Sequence, residues 1–208
     1  MLKFGRLKPE HRTEYILLTA RAMENYAYVA NYIPDSVRRR RFLECAMDIE
    51  VRLNAEHSVL LTASEGQKIV AAAMLCPPAV RRPGALAYLR AGFWRALRCG
   101  GICNVLAWAA MDDKAGAPCH HYPGAAWYLS MLAVDPAYQG RGVGSRFLQA
   151  CIIPAVKKRG GETLCLFTNS EENRVFYQKN GFREFDAREF RYHGKTLGSW
   201  SYCMNLRD

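Results

Sequence analysis

The stretch from Trp127 to Arg159 constrains the fold more than any other, because it reads as a strand, a glycine-rich turn and a helix in immediate succession. Trp127 to Val134 is a β-favouring, nearly all-apolar run that stops at Asp135-Pro136, a turn signal, and so predicts a buried strand. Gln139-Gly140-Arg141-Gly142-Val143-Gly144-Ser145 follows, and Phe147, Leu148, Cys151, Ile152 and Ala155 then trace one face of a helix. The glycines fall in the strand-to-helix turn, where they leave backbone N–H groups unobstructed while the positive end of the helix dipole points at the same spot. Such a turn suits the oxygens of a pyrophosphate. It is not a Walker loop, since no Lys-Ser or Lys-Thr closes it, and it is not G-x-G-x-x-G, since the glycines fall at 140, 142 and 144. A triphosphate or a dinucleotide is therefore disfavoured.

The rest of the chain supplies strands and helices around this unit. Leu2, Phe4 and Leu7 alternate weakly with polar residues and predict a short first strand over Lys3 to Leu7, ended by Lys8-Pro9. Tyr15, Ile16, Leu18, Thr19, Ala22 and Met23 form a helical stripe, and after Asn31 to Pro34 either Asp35 or Ser36 caps a second helix that runs to about Asn54. Ser58 to Ala63 and Lys68 to Cys76 read as a hairpin around a four-residue turn, Ser64-Glu65-Gly66-Gln67. Residues 79 to 126 are an insertion with helices over Ala85 to Leu97 and Ile102 to Met111, carrying Arg81, Arg82, Arg90, Arg95 and Arg98. Thr163 to Thr168 predicts another buried strand, Asn169 with Glu172 a capping box, and Asn173 to Lys179 a short helix that Gly181 stops. Phe182 to Phe190 and Ser199 to Leu206 close the chain as a hairpin around His193-Gly194-Lys195.

The spacing Q-x-x-G-x-G from Gln139 resembles the acyl-CoA loop of the GCN5-related N-acetyltransferase (GNAT) family, and Asn173 followed by Phe176-Tyr177 and Gly181-Phe182 resembles that family's second signature. The wording from Tyr128 to Phe182 is most similar to the puromycin-acetyltransferase-like branch. The resemblance covers roughly the last 80 residues closely and the first half by its order of elements. It implies an α/β (α+β) GNAT fold as a single domain over residues 1–208, with a mixed central sheet of about seven strands flanked by helices and a helical insertion before the fourth strand. It also implies acetyl-CoA as acyl donor. Carried over residue by residue, Leu132, Ala133 and Val134 supply backbone to the pantetheine arm in the manner of an added strand. Gln139, Gly140, Arg141, Gly142, Val143, Gly144 and Ser145 hold the pyrophosphate, and Asn173 lies near the arm. Tyr177, four residues on and on the same helix face, is the general acid that protonates the departing thiolate. Many family members place a glutamate on the cofactor strand as base. Trp127 to Val134 contains no carboxylate, so the base is unassigned, with Asp112, Asp113, His120 and His121 as the titratable groups preceding the strand.

Composition narrows the remaining classes. The chain has 208 residues, 50% of them hydrophobic, and a formal charge of +10, which suits a polyanionic cofactor as well as it suits nucleic acid or an acidic membrane. Arg38 to Arg41 is the densest basic run, but it opens a helical stretch without interleaved aromatics and reads as a solvated helix face. No nucleic-acid or membrane partner is expected, and assembly into a homodimer stays open. The longest apolar runs fall short of the ~18 residues of a membrane helix, the N-terminus lacks a secretory h-region, and cytoplasmic residence is the default. Eight cysteines at irregular spacing read as reduced thiols, and Cys99, Cys103 and Cys119-His120-His121 make a poor zinc set because three adjacent ligands close one tetrahedron badly, so no metal is expected. The expected function is transfer of an acetyl group to a primary amine of a small molecule or peptide. A non-catalytic acyl-CoA-binding or regulatory domain of the same fold is the alternative.

Overall fold

The computed structural model describes residues 1–78 and 83–207, so the expected Arg81 and Arg82 lie outside the described residues. In chain order the elements are β1 (Leu2–Arg6), α1 (Arg12–Met23), α2 (Ala27–Ala30), α3 (Ser36–Asn54), β2 (Val59–Glu65), β3 (Lys68–Cys76), α4 (Ala85–Arg90), α5 (Phe93–Gly100) and α6 (Ile102–His120). They continue with β4 (Trp127–Val134), α7 (Val143–Phe147), α8 (Ile153–Lys157), β5 (Thr163–Thr168), α9 (Glu171–Lys179), β6 (Arg183–Tyr192) and β7 (Lys195–Asn205). The seven strands form one sheet in the order β1-β2-β3-β4-β5-β7-β6. Every neighbouring pair is antiparallel except β4 and β5, which run parallel. This is the mixed seven-stranded sheet, with helices before the fourth strand, that the sequence predicts.

Each face of the sheet buries its own core. On one side α1, α2, α3, α5 and α6 contribute Leu18, Val29, Phe42, Ala96 and Val105, and on the other α7, α8 and α9 contribute Phe147, Val156 and Tyr177. One residue lets β4 serve both. Met74 pairs with Met131 and Leu75 with Leu129, which leaves Ser130 as an extra residue, a bulge that resets the strand's alternation. Before it Trp127 and Leu129 join the α7–α8 core, and after it Met131 and Ala133 join the opposite one.

Several local expectations shift. The β2–β3 turn is two residues, not four, because Glu65 still pairs with Lys68, and Gly66 supplies the positive φ of 62° that this short turn requires. The helix expected over Ala85 to Leu97 breaks at Gly92, whose φ of 99° is foreign to a right-handed helix, while α6 runs on to His120. Ser170, not Asn169, caps α9, its hydroxyl accepting the Asn173 N–H at 3.2 Å. A single π turn, Leu148–Ile152, joins α7 to α8 ahead of Pro154, which lacks the N–H a regular helix would need there. The buried stripe drifts accordingly, so that Val156, not Ala155, is fully enclosed.

The arginine run is a solvated face at Arg38, Arg40 and Arg41, which are exposed, but not at Arg39. Arg39 points inward, 7% exposed, and donates to the carbonyls of Glu24 (2.6 Å), Ile33 (2.8 Å) and Pro34 (2.7 Å). Arg40 pairs with the Glu24 carboxylate at 2.9 Å, and Arg38 donates to the Cys99 carbonyl at 3.2 Å. The segment between α1 and α3 is thereby tied down from behind.

Candidate active site

The site begins where the sheet divides. The parallel ladder between β4 and β5 holds only two residue pairs, Trp127 with Leu164 and Tyr128 with Cys165. Beyond them β4 stays with β3 as far as Val134, and β5 stays with β7 as far as Thr168. The two strands therefore part into a fork whose apex is at Tyr128 and Cys165. The Asp135 N–H donates to Val70 O at 2.9 Å, and Ala133 and Val134 stand opposite Ala72 and Ala71. The alternation of an antiparallel ladder then directs the N–H and C=O of Ala133 to β3 and those of Leu132 and Val134 into the fork. Of the three expected strand residues, two thus face the opening with their backbone. The Val134 carbonyl already accepts from Gln139 Nε2 at 3.0 Å.

At the wide end of the fork lies the glycine turn. Gly140 (φ 73°) and Gly142 (φ 71°) both adopt left-handed backbone, and a side chain built on either would meet nothing within 4 Å. Conformation, not space, demands glycine there. Gly144 differs: a Cβ on it would lie 3.3 Å from the Phe176 ring and 3.5 Å from Val134 Cγ2, so it lets α7 approach α9 and β4 closely. Val143 is buried beneath the turn, Ser145 Oγ accepts from Asn180 Nδ2 at 3.1 Å, and Arg141 lies 5.4 Å from the centre of the Tyr138 ring. Asp135 anchors the start of the turn by accepting from the Ala137 N–H at 3.0 Å and pairing with Lys68 at 3.1 Å and Arg21 at 3.5 Å. Burial alone would raise the Asp135 carboxyl, but the Ala137 N–H and the two cations outweigh it and hold the group below its usual range.

Tyr177 and Asn173 come from α9, on the β5 side. A Schellman closure fixes the end of this helix: the Phe182 N–H donates to Tyr177 O and the Gly181 N–H to Gln178 O, both at 3.0 Å, with Phe182 packed 5.5 Å from the Tyr177 ring. Tyr177 is 7% exposed, and burial, with the nearby Tyr26 adding to it, pushes its phenol well above the ordinary range. It therefore stays protonated at working pH.

The sequence reading missed the residues opposite. Tyr26 sets its hydroxyl 3.0 Å from Thr168 Oγ1, accepts the Asn169 N–H at 2.5 Å and meets the Asn173 side chain, while burial raises its phenol in spite of these bonds. Asn169, 5% exposed, spends its Nδ2 on Gly198 O at 2.8 Å, which leaves its Oδ1 buried without a hydrogen-bond partner. Tyr28 packs 6.1 Å from Phe167 and 5.6 Å from Trp108, and its hydroxyl donates to Asp112 Oδ1. Among the described residues of the insertion, α6 packs against β5, whereas α4 and α5 pack on α3 and Trp94 is 52% exposed. His120 meets the Tyr128 ring edge-on at 4.5 Å. Among the described residues no cluster of His, Cys, Asp or Glu is arranged to hold a metal, and no helix is long and apolar enough to cross a membrane.

Residues 88–184 match the model of the acetyltransferase (GNAT) domain. The ribosomal-protein-S18-alanine N-acetyltransferase of Escherichia coli is similar in structure, with a TM-score of 0.59 at 17% identity over 99% of this chain and 94% of that one. A GNAT family acetyltransferase from Elizabethkingia anophelis, solved with acetyl-CoA bound, superimposes with a TM-score of 0.51 at 13% identity over 98% and 97% of the two chains. In sequence, N-alpha-acetyltransferase 30 of Schizosaccharomyces pombe is 29% identical over 79 residues, 37% of this chain. The match spans 51% of that relative, about half its length. Residues 88–184 are thus similar to the GNAT acetyltransferase domain, and the chain as a whole shares the fold of these solved structures.

Proposed function

We propose that this protein is an N-acetyltransferase that moves an acetyl group from acetyl-CoA directly to a primary amine of a small molecule or peptide. The observation that carries the reading is the fork itself: a strand edge with Leu132 and Val134 directed outward, ending in a turn built on left-handed Gly140 and Gly142. An amide-bearing arm adds to that edge as a further strand, and the turn N–H groups receive the pyrophosphate. The buried Asn169 Oδ1 offers an acceptor to an N–H of the arm. Asn173 stands beside it, sharing the Tyr26 hydroxyl. Tyr177, held neutral by burial, donates to the sulfur as the C–S bond breaks. The acetyl-CoA-bound Elizabethkingia relative supports the donor, and the N-acetyltransferase names of the E. coli and S. pombe relatives support nitrogen as the acceptor atom.

The test is CoA release from acetyl-CoA against a panel of small amines, antibiotics and peptides, beside a buffer blank. Amine-dependent release is the expected result. Tight acetyl-CoA binding without release for any amine would instead identify a non-catalytic acyl-CoA-binding domain.

A further inference from the structure

An ammonium cannot attack a thioester until it loses a proton, and β4 carries no carboxylate to take it. One carboxylate is nevertheless held at the fork. Asp112 projects from α6 and accepts the hydroxyl hydrogen bond of Tyr28, and Tyr28 is itself in position from behind, because Arg39 fixes the carbonyls on both sides of α2. The Tyr28 ring lies against Phe167, which is past the last β4–β5 pair, and near enough to Tyr128, which is in that pair, to interact with it electrostatically. The Tyr28–Asp112 pair therefore lies beside the apex.

We propose that Asp112 is the general base of the reaction, with Tyr28 holding its carboxylate at the apex; this rests on the acetyl transfer proposed above. The ammonium gives one proton to the Asp112 carboxylate. The freed nitrogen lone pair forms the N–C bond to the acetyl carbonyl carbon, and the C–S bond breaks with its electron pair leaving on sulfur. Tyr177 protonates the departing thiolate, the second nitrogen proton restores the Tyr177 phenol, and Asp112 returns its proton to solvent. Tyr28 is a positioning residue. Burial raises its phenol well above the ordinary range, with the Asp112 charge adding to it, so it keeps its proton throughout. Among the described residues, the titratable groups around the pair include Tyr26 beside Tyr28, with the Glu172 carboxylate acting on Tyr26, Tyr128 on β4 and, against Tyr128, His120.

Asp112→Asn preserves an acceptor for Tyr28 and removes only the base. With benzylamine, protonated at pH 7, kcat/KM should fall by ~10² or more and recover as pH rises. With 4-methoxyaniline, neutral at pH 7, the loss should be only a few-fold, while acetyl-CoA affinity by calorimetry and the thermal midpoint stay at the parent's values. Tyr28→Phe keeps the ring packing and untethers the carboxylate, so it repeats the test whether or not the Asn variant folds: a loss concentrated on benzylamine supports the assignment. Equal losses for the two amines at every pH, or parent-like turnover of benzylamine by Asp112→Asn, overturns it. Absence of turnover by the parent with any amine would remove the acetyl-transfer reading and this one together.

Discussion

The turn after β4 and the segment between α1 and α3 flank the same fork, yet they are built by opposite means. The first is held by its own backbone: glycines in left-handed conformation, an Asp135 that bonds two residues ahead, and a helix that starts at once. The second has little regular structure of its own and is held by Arg39, a side chain from the following helix that satisfies three of its carbonyls. A locally determined loop and a remotely tethered one can be equally well placed, but they fail differently when mutated.

The largest difference should come from breaking the turn. Gly142→Val with Gly144→Val puts a β-branched residue at positive φ and drives a side chain into Phe176, so acetyl-CoA binding by calorimetry should be abolished. Unchanged affinity would remove the turn from the site. Next, Arg39→Ala strands buried carbonyls and should cost about 3–5 kcal/mol in chemical denaturation. It should also cut amine turnover, with a much smaller effect on acetyl-CoA affinity in whatever fraction folds. A loss below about 1 kcal/mol would mean that the segment holds itself. Tyr177→Phe should lower kcat by ~10², near 2.7 kcal/mol, and leave the acetyl-CoA dissociation constant nearly alone. Equal turnover in mutant and parent would count against the acid. The smallest effect is at Asp135. Its folded pKa is depressed, so its contribution is present above the unfolded value of about 3.9 and lost as pH falls through the folded one. Thermal melts from pH 6 to pH 3 should therefore decline more steeply for the parent than for Asp135→Asn, and parallel curves would show that the ion pairs with Lys68 and Arg21 do not matter.

The same contrast explains what could be read in the sequence. Strand, turn and helix from Trp127 onward, the Asp35 cap of α3 and the glycine stop of α9 all follow from neighbouring residues, and each lies close to where periodicity and turn chemistry put it. The face switch at Ser130 was not legible, since a bulge depends on which residue the partner strand offers. Nor was the inward turn of Arg39, because nothing in four consecutive arginines says which one meets a loop with carbonyls to satisfy. Tyr26 and Tyr28 belong to no motif in the sequence, and their bonds to Thr168 and Asp112 span 142 and 84 residues. A short, tyrosine-rich connection between two amphipathic helices was the available signal.

The bond from Gln139 to the Val134 carbonyl changes how affinity must be distributed. An incoming amide that pairs with Val134 trades places with a side-chain amide of nearly the same chemistry, so that contact is an exchange and yields little net free energy. In the proposed binding mode, selectivity along the strand edge comes from geometry, since only an extended arm matches its spacing, while tightness has to be generated at the phosphate end. A donor shortened to its pantetheine portion should therefore still be recognised in shape and yet bind weakly, with most of the lost affinity traceable to the turn.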